Sequence, residues 1–160
     1  MTEQMPVSAE AQQRLGEIGL DNFAPYLMNR IMGRYNASLR AEMAALGITT
    51  PQMRALAVLS VMDGILIREL AVYAVVEQST LSRALDSLAR DGLIERRTDP
   101  SDSRATRVFL TADGRIAHER LWPHMAKSYA QMFRGVSGEE RRAFVGTLQK
   151  ILNNIRKHNF

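Results

Sequence analysis

Residues 70–114 read LAVYAVVEQSTLSRALDSLARDGLIERRTDPSDSRATRVFLTADG. The first half of this stretch predicts two short helices joined by a turn at 74–76, and this spacing is typical of a helix-turn-helix unit. After Gly92 the apolar period changes from that of a helix to that of strands, over residues 93–97 and 106–110. We therefore expect a β-hairpin with a long polar tip directly after the second helix.

The second helix, predicted over residues 77–91, has two faces of opposite character. One arc is apolar and consists of Leu81, Ala84, Leu85 and Leu88. The opposite arc carries short hydroxyl side chains and arginines, which let a helix approach DNA closely and reach guanine edges or phosphates. The candidate DNA contacts on this helix are Gln78, Ser79, Thr80, Ser82 and Arg83. Taken alone, the same pattern also fits an ordinary solvated helix face.

Asp86 lies in the middle of that polar arc, where its negative charge would repel phosphate. Two roles remain open for this carboxylate. It can pair with Arg83 or Arg90 along the helix. Alternatively, it can accept a hydrogen bond from the amine of a cytosine.

The hairpin supplies the remaining candidate contacts. Arg104 lies in its tip, and we expect its side chain to enter the adjacent minor groove, where the negative potential favours arginine. Asp102 is expected to orient Arg104. Arg96 or Arg97, in the first strand of the hairpin, is expected to touch phosphate.

Helical periodicity continues on both sides of this unit. We expect an N-terminal tail at 1–21, a DNA-binding lobe at 48–111, and a helical dimerisation region formed by 22–47 and 112–160. The expected helix caps are Thr50, Thr111 and Ser137. The last helix carries an apolar stripe, which we expect to bury against a second copy of the chain. This stripe consists of Leu148, Ile151, Leu152 and Ile155.

Composition and charge limit the kind of protein. The chain has 160 residues, of which 46% are hydrophobic and 24% charged, and this suits one globular domain. Its net charge of +4 arises mainly at residues 134–160, so a nucleic-acid interpretation cannot rest on net charge. No apolar run reaches the roughly 18–20 residues of a membrane span, and residues 1–13 lack the pattern of a signal peptide. We expect a cytoplasmic, nucleoid-associated protein with no membrane partner.

Catalytic and metal-binding patterns are absent from the sequence. There is no cysteine, which excludes disulfides, thiol redox chemistry and cysteine-ligated zinc. His118 and His124 are six residues apart, so they do not face each other on a helix. No zinc-protease, dinucleotide-binding, phosphate-loop or serine-elbow motif occurs. We expect no metal, no cofactor and no enzymatic activity.

A small-molecule site is a second hypothesis. Several of the nine methionines fall on helices that would surround a cleft. Methionine suits adaptable binding surfaces, although it fills cores more often. The groups that could fix an anionic aromatic ligand there are Tyr26, Arg30, Arg54 and Trp122. Plain packing or surface exposure is the alternative for each of them.

The motifs of residues 70–114 resemble those of the MarR family of bacterial transcriptional regulators. The matching pieces are the Leu70-Ala71 opening, Ser79-Thr80-x-Ser82-Arg83, Leu88, Asp91-Gly92-Leu93-Ile94-x-Arg96, Asp102-x-Arg104 and Val108-x-Leu110-Thr111-x-x-Gly114. The resemblance implies a winged helix-turn-helix joined to a helical dimerisation region, an obligate homodimer, and a palindromic operator in double-stranded DNA. It also implies that a small aromatic or phenolic effector releases the protein from DNA, as is often the case in this family. Family members often have arginine where this chain has Ser103, which implies weaker binding by the wing.

The sequence therefore predicts a mainly α protein with a small β-hairpin, arranged as a winged helix-turn-helix with flanking helices. The predicted function is sequence-specific DNA binding by a transcriptional regulator that acts as a repressor. The alternative is a protein-interaction module with the same fold that does not bind DNA. Salt-dependent retention on heparin or random DNA would distinguish the two.

Overall fold

A computed structural model describes residues 13–160, which form a mainly helical chain with one small sheet. The elements in chain order are α1 (Leu15–Ile18), a 3-10 helix (Leu20–Asn22), α2 (Ala24–Ala45), α3 (Thr50–Val61), β1 (Ile65–Leu66), α4 (Ile67–Ala74), α5 (Gln78–Arg90), β2 (Ile94–Thr98), β3 (Thr106–Leu110), α6 (Ala112–Met132) and α7 (Gly138–Ile155). The predicted fold class is confirmed. Of the tail expected at 1–21, residues 1–12 lie outside the described part, and the remainder includes α1.

The sheet has three antiparallel strands in the order β1-β3-β2. Its hairpin pairs Ile94 with Leu110 and Thr98 with Thr106. The first hairpin strand is therefore shifted by one residue from the predicted 93–97. The sequence prediction missed β1 altogether, because a strand of two residues is too short to show alternation. It pairs Ile65 with Val108, and so anchors the hairpin to the helices before it.

The core of the lobe is formed by leucines that α3, α4 and α5 direct at one another. The largest fully buried side chains include Leu56, Leu59, Leu70, Leu81, Leu85, Leu88 and Val108. The apolar arc predicted for α5 is therefore the arc that is buried. Fully burying one such side chain stabilises the fold by about 1.5–3 kcal/mol. This packing fixes which face of α5 is left for other contacts.

Two of the three predicted helix caps are confirmed. The Thr111 Oγ1 accepts from the Gly114 amide at 3.0 Å, and the Ser137 Oγ accepts from the Glu140 amide at 3.1 Å. The third cap is Thr49 rather than Thr50. Thr49 makes a reciprocal pair with Gln52, whose side-chain oxygen accepts from the Thr49 amide at 2.9 Å. The spacing of three residues to a glutamine selects Thr49, because that reciprocal bond needs it.

The long helices α2 and α6 pack against each other, and α6 also packs against α3. Gly114 lets α6 begin directly against the segment that enters β2. A side-chain carbon at this position would overlap the carbonyl of Leu93. The last helix behaves differently, since no residue of α7 is buried. Its Phe144 ring lies 6.2 Å from that of Phe133, centroid to centroid.

Candidate nucleic-acid interface

The helix-turn-helix consists of α4, a short turn and α5. Leu81, Leu85 and Leu88 are fully buried and anchor α5, and the buried Gln52 of α3 donates to the Ser87 hydroxyl at 3.0 Å. The five side chains predicted to contact DNA all lie on exposed positions of α5, namely Gln78, Ser79, Thr80, Ser82 and Arg83. The structure therefore places all five side chains at exposed positions of one helix.

Asp86 pairs with neither of the arginines considered for it on its own helix. Its Oδ1 lies 2.6 Å from Nη1 of Arg96, in β2. This ion pair crosses from α5 to the hairpin, and sequence spacing along one helix could not have predicted it. It neutralises the carboxylate that would otherwise repel phosphate. It also engages the Arg96 guanidinium. If Arg96 contacts a phosphate, its guanidinium must be shared between that phosphate and Asp86.

Arg97 lies on the opposite face of the hairpin, following the alternation of strand side chains. Its Nη2 is 2.6 Å from Oε2 of Glu95. Its guanidinium carbon lies 4.5 Å from the centroid of the Phe109 ring. These two contacts hold the charge of Arg97 against the hairpin, with 60% of the side chain exposed. Both arginines of β2 therefore have partners within the chain.

The loop at the tip of the hairpin is organised by Asp99, which is 7% exposed. One carboxylate oxygen accepts from the Ser101 amide at 2.8 Å and from the Asp102 amide at 3.0 Å, and the other accepts from the guanidinium of Arg107. The Ser101 amide and then Arg107 hold the pKa of Asp99 below its ordinary value. The sequence analysis did not predict these contacts of Asp99. The signal was an aspartate at the start of a polar turn, where its side chain typically binds the following amides.

Arg104 extends from this loop into solvent, and its side chain is 92% exposed. Its backbone amide donates to Oδ1 of Asp102 at 3.0 Å. Its Nε lies 3.5 Å from the same oxygen. The Asp102 carboxylate therefore contacts both the backbone and the side chain of Arg104. An exposed ion pair of this kind is weak, so Arg104 can exchange the Asp102 carboxylate for another anion.

Two of the four residues predicted to hold a small molecule line one open cavity. It has a volume of about 700 Å³ and lies between α2 and α6. Arg30 donates from Nη1 to the Tyr26 hydroxyl at 2.9 Å. On the opposite wall, the Ser128 Oγ is buried and has no hydrogen-bond partner among residues 13–160. Tyr35 also lines the cavity, and burial raises the pKa of its hydroxyl.

The other two residues lie elsewhere, so one chain does not bring all four together. Arg54 lines a separate cavity of about 730 Å³, where its guanidinium is hydrogen-bonded to Val75 and Asn36. Trp122 lines neither cavity and is 54% exposed. Residues on one helix diverge at 100° per residue, and the sequence does not show how separate helices are turned toward each other.

His118 and His124 both lie on α6. His124 Nδ1 lies 3.0 Å from Oε2 of Glu42, which joins α6 to α2. Burial lowers the pKa of His118. Within residues 13–160, no three histidine or carboxylate side chains are grouped as metal ligands would be. No helix in this part of the chain is long and apolar enough to cross a membrane.

Comparison with known proteins places this geometry in a family. A model described as MarR family matches residues 46–105. The crystal structure of a MarR family transcriptional regulator from Silicibacter pomeroyi shares 59% sequence identity, covers 92% of this chain and 100% of its own, and superimposes with a TM-score of 0.88. The HTH-type transcriptional repressor IacR of Pseudomonas putida is 23% identical over 139 residues, which are 87% of this chain and 83% of that protein.

A further solved structure concerns Bordetella bronchiseptica BpsR and the regulation of its DNA binding by 6-hydroxynicotinic acid. It shares 25% identity, covers 80% of this chain and 97% of its own, and has a TM-score of 0.70. The relatives from Silicibacter pomeroyi and Pseudomonas putida are transcriptional regulators rather than enzymes. The chain therefore belongs to the MarR family of transcriptional regulators.

Proposed function

We propose that this regulator represses transcription by binding a palindromic operator in double-stranded DNA as a homodimer. The observation that carries the proposal is the exposed polar face of α5, which lies in the same lobe as a wing tip with an almost fully exposed arginine. Residues 48–111 act as the DNA-binding lobe in this proposal, and 22–47 with 112–160 form the dimerisation region. The protein acts at the nucleoid, in the cytoplasm.

In the proposed complex, α5 enters the major groove. Its hydroxyl side chains allow close approach, and Arg83 reads a base edge, for which a guanine offers two acceptors. Arg104 enters the adjacent minor groove, where it responds to groove width. Arg96 or Arg97 reaches a phosphate. Arg96 does so by releasing or sharing Asp86, and Arg97 by releasing or sharing Glu95.

The proposed dimer rests on the exposure of the stripe on α7. Leu152 is 59% exposed and Ile155 is 72% exposed in the single chain, and Ile151 is 36% exposed. An exposed aliphatic stripe of this kind typically marks an interface. Permanent homodimer interfaces resemble a domain core cut in half. A second copy of the chain is the simplest occupant, because a palindromic operator requires two-fold symmetry.

The test of DNA binding is a fluorescence-anisotropy titration of the purified protein on a random-sequence duplex at several salt concentrations. A DNA-binding protein should lose affinity along a straight line in a plot of log K against log salt concentration, because phosphate contacts release counterions. The slope reports the number of those contacts. The absence of binding at low salt would favour the protein-interaction module instead.

We also propose that a small aromatic acid releases the repressor by binding in the cavity between α2 and α6. Arg30 and Arg34 line this cavity and carry the charge to hold a carboxylate, while Tyr26 supplies an aromatic face. The orphaned hydroxyl of Ser128 offers a further hydrogen bond. The relative BpsR responds to 6-hydroxynicotinic acid, an acid of this class. A ligand releases DNA only through differential affinity for the two arrangements of the protein.

A panel of aromatic acids, including 6-hydroxynicotinic acid, tests the effector proposal. Binding should raise the melting temperature of the parent protein and lower its affinity for DNA. Arg30→Met should abolish both effects, whereas Arg120→Met, at an exposed arginine of α6 outside the cavity, should leave them unchanged. If millimolar concentrations of every acid shift neither quantity, this cavity does not take that class of ligand. The DNA-binding proposal would survive that result.

A further inference from the structure

The turn of the helix-turn-helix contains a strained residue. Val75 has φ 53° and ψ 52°, in the left-handed region of backbone conformations. Within residues 13–160 it is the single non-glycine residue with a positive φ. A β-branched side chain rarely adopts this conformation, because its Cβ crowds the backbone carbonyl. The side chain is 77% exposed, so burial of the valine does not offset the strain.

The left-handed conformation is what ends α4 and directs the chain toward α5. The Val76 amide donates to the Ala71 carbonyl at 3.1 Å, and the Val75 amide donates to the Val72 carbonyl at 3.2 Å. This pair of bonds is the Schellman arrangement, in which the left-handed position is usually glycine. Two residues later, Glu77 is the N-cap of α5. The direction of α5 therefore depends on a conformation that valine does not favour.

A single arginine supports this turn from outside. Arg54, in α3, donates from Nη1 to the Val75 carbonyl at 3.1 Å. Its Nη2 lies 3.3 Å from Oδ1 of Asn36, in α2, to which it donates. One guanidinium therefore links the turn, α3 and the long helix α2. Hydrogen bonds from a charged donor are stronger than neutral ones, and a positive charge at the C-terminal end of α4 is favourable.

We propose that Arg54 is a positioning residue for DNA recognition, which holds the left-handed turn at Val75 and so fixes the direction of α5 relative to α2. The DNA readout of this inference rests on the proposed function. The turn itself can be measured without DNA. The two kinds of failure can therefore be told apart.

The first measurement is amide hydrogen exchange in the free protein. Arg54→Met removes the guanidinium and keeps an unbranched side chain. It should speed exchange at the Val75 and Val76 amides about tenfold, since a hydrogen bond from a charged donor is lost. The Leu93 amide, which donates to Leu88 at 2.9 Å beyond the other end of α5, serves as an internal reference and should be unchanged.

The second measurement is a double-mutant cycle with Val75→Gly. Glycine adopts the left-handed region without strain, so this change should make the turn less dependent on Arg54. DNA affinity, measured on the duplex selected with the parent protein, should fall about tenfold in Arg54→Met. It should return most of the way in the double variant. If Arg54→Met weakened binding through a general loss of stability, Val75→Gly would not be expected to restore the affinity.

The control variant is Arg40→Met. Arg40 is an exposed arginine of α2 that lines the same cavity as Arg54, and its side chain makes no hydrogen bond or ion pair within residues 13–160. Its removal should change neither exchange nor affinity. If Arg54→Met does not fold, Arg54→Lys replaces it, because one ammonium cannot span both acceptors in the geometry of the guanidinium.

Three results would overturn the inference. They are unchanged exchange at Val75 and Val76, equally faster exchange at Leu93, and a double variant that remains as weak as Arg54→Met. If the parent protein binds no DNA, the proposed function has failed. In that case exchange in the single and double variants still decides whether Arg54 holds the turn.

Discussion

The lobe and the last helix treat their apolar side chains in opposite ways. In α3 to α5, Leu56, Leu81 and Leu85 are fully buried by other residues of the same chain. In α7 no residue is buried, and Leu152 and Ile155 are more than half exposed. These leucines of α3 to α5 are therefore covered within one chain, whereas most of the α7 stripe remains exposed.

The exposed faces of α5 and α7 differ as much as their surroundings do. The outer face of α5 carries hydroxyls and arginine, which suit an anionic, hydrated partner such as DNA. The stripe on α7 carries aliphatic side chains, which suit an apolar partner. Exposure alone does not distinguish these roles, but the chemistry of the exposed groups does. The following predictions test whether the two faces have separate functions.

The largest expected effect is that of Leu152→Glu, in the stripe of α7. A charge buried without a partner is very costly, so the dimer and its DNA binding should both be lost. Sedimentation velocity and DNA anisotropy measure the two properties. Asn153→Glu adds the same charge on the opposite side of α7 and should preserve both. A soluble Leu152→Glu variant that remains dimeric would show that the stripe is not the interface.

The next effect is in the core of the lobe. Leu85→Ala should lower the free energy of unfolding by about 2–5 kcal/mol, because Leu85 is fully buried and leaves a cavity. Ile155→Ala should instead act mainly on the dimer dissociation constant. Denaturant unfolding and equilibrium sedimentation separate the two. A change below about 0.5 kcal/mol for Leu85→Ala, the range of surface substitutions, would contradict the packed lobe.

Arg83→Ala tests base reading by α5. It should cost about 1–3 kcal/mol on the cognate duplex and relax specificity at one position of each half-site. Arg134→Ala removes an exposed arginine that lies after α6, outside the lobe, and should have little effect. The measurement is anisotropy on cognate and scrambled duplexes. An equal loss on every duplex would mean that Arg83 contacts phosphate rather than a base.

Arg104→Ala should have the smallest effect of the four and a different pattern. It should weaken binding mainly where the flanking sequence is rich in A·T pairs, because arginine favours the narrow minor groove of such tracts. Asp102→Ala should reproduce part of the loss, since Asp102 contacts Arg104 through backbone and side chain. Duplexes that differ only in the flanks measure this. Equal losses on A·T-rich and G·C-rich flanks would contradict minor-groove recognition.

Much of the local structure could be predicted from short sequence patterns. The buried arc of α5, the strands of the hairpin and the caps at Thr111 and Ser137 each follow from local patterns of a few residues. The prediction failed where the pattern was too short or competed with a neighbour. The two residues of β1 show no period, and Thr49 competes with Thr50 for the same cap.

The contacts between elements could not be predicted, because they depend on how separate helices and strands are turned toward each other. The pairing of Asp86 with Arg96 joins a helix to a strand, and the bond from Arg54 to Val75 joins two helices through a turn. The proposed effector residues were separated for the same reason. Residue type suggested the chemistry of each group, but only the three-dimensional arrangement decides which groups meet.

In our proposal, α5 reads DNA as one half of a symmetrical pair held together by the dimerisation region. In vitro selection of binding sites from a random duplex library, with the purified parent protein, tests it most directly. We predict an enriched pseudo-palindrome whose half-sites lie about 10 bp apart, centre to centre, as for two recognition helices one helical turn apart. A library without enrichment, or an enriched single asymmetric site, would contradict it.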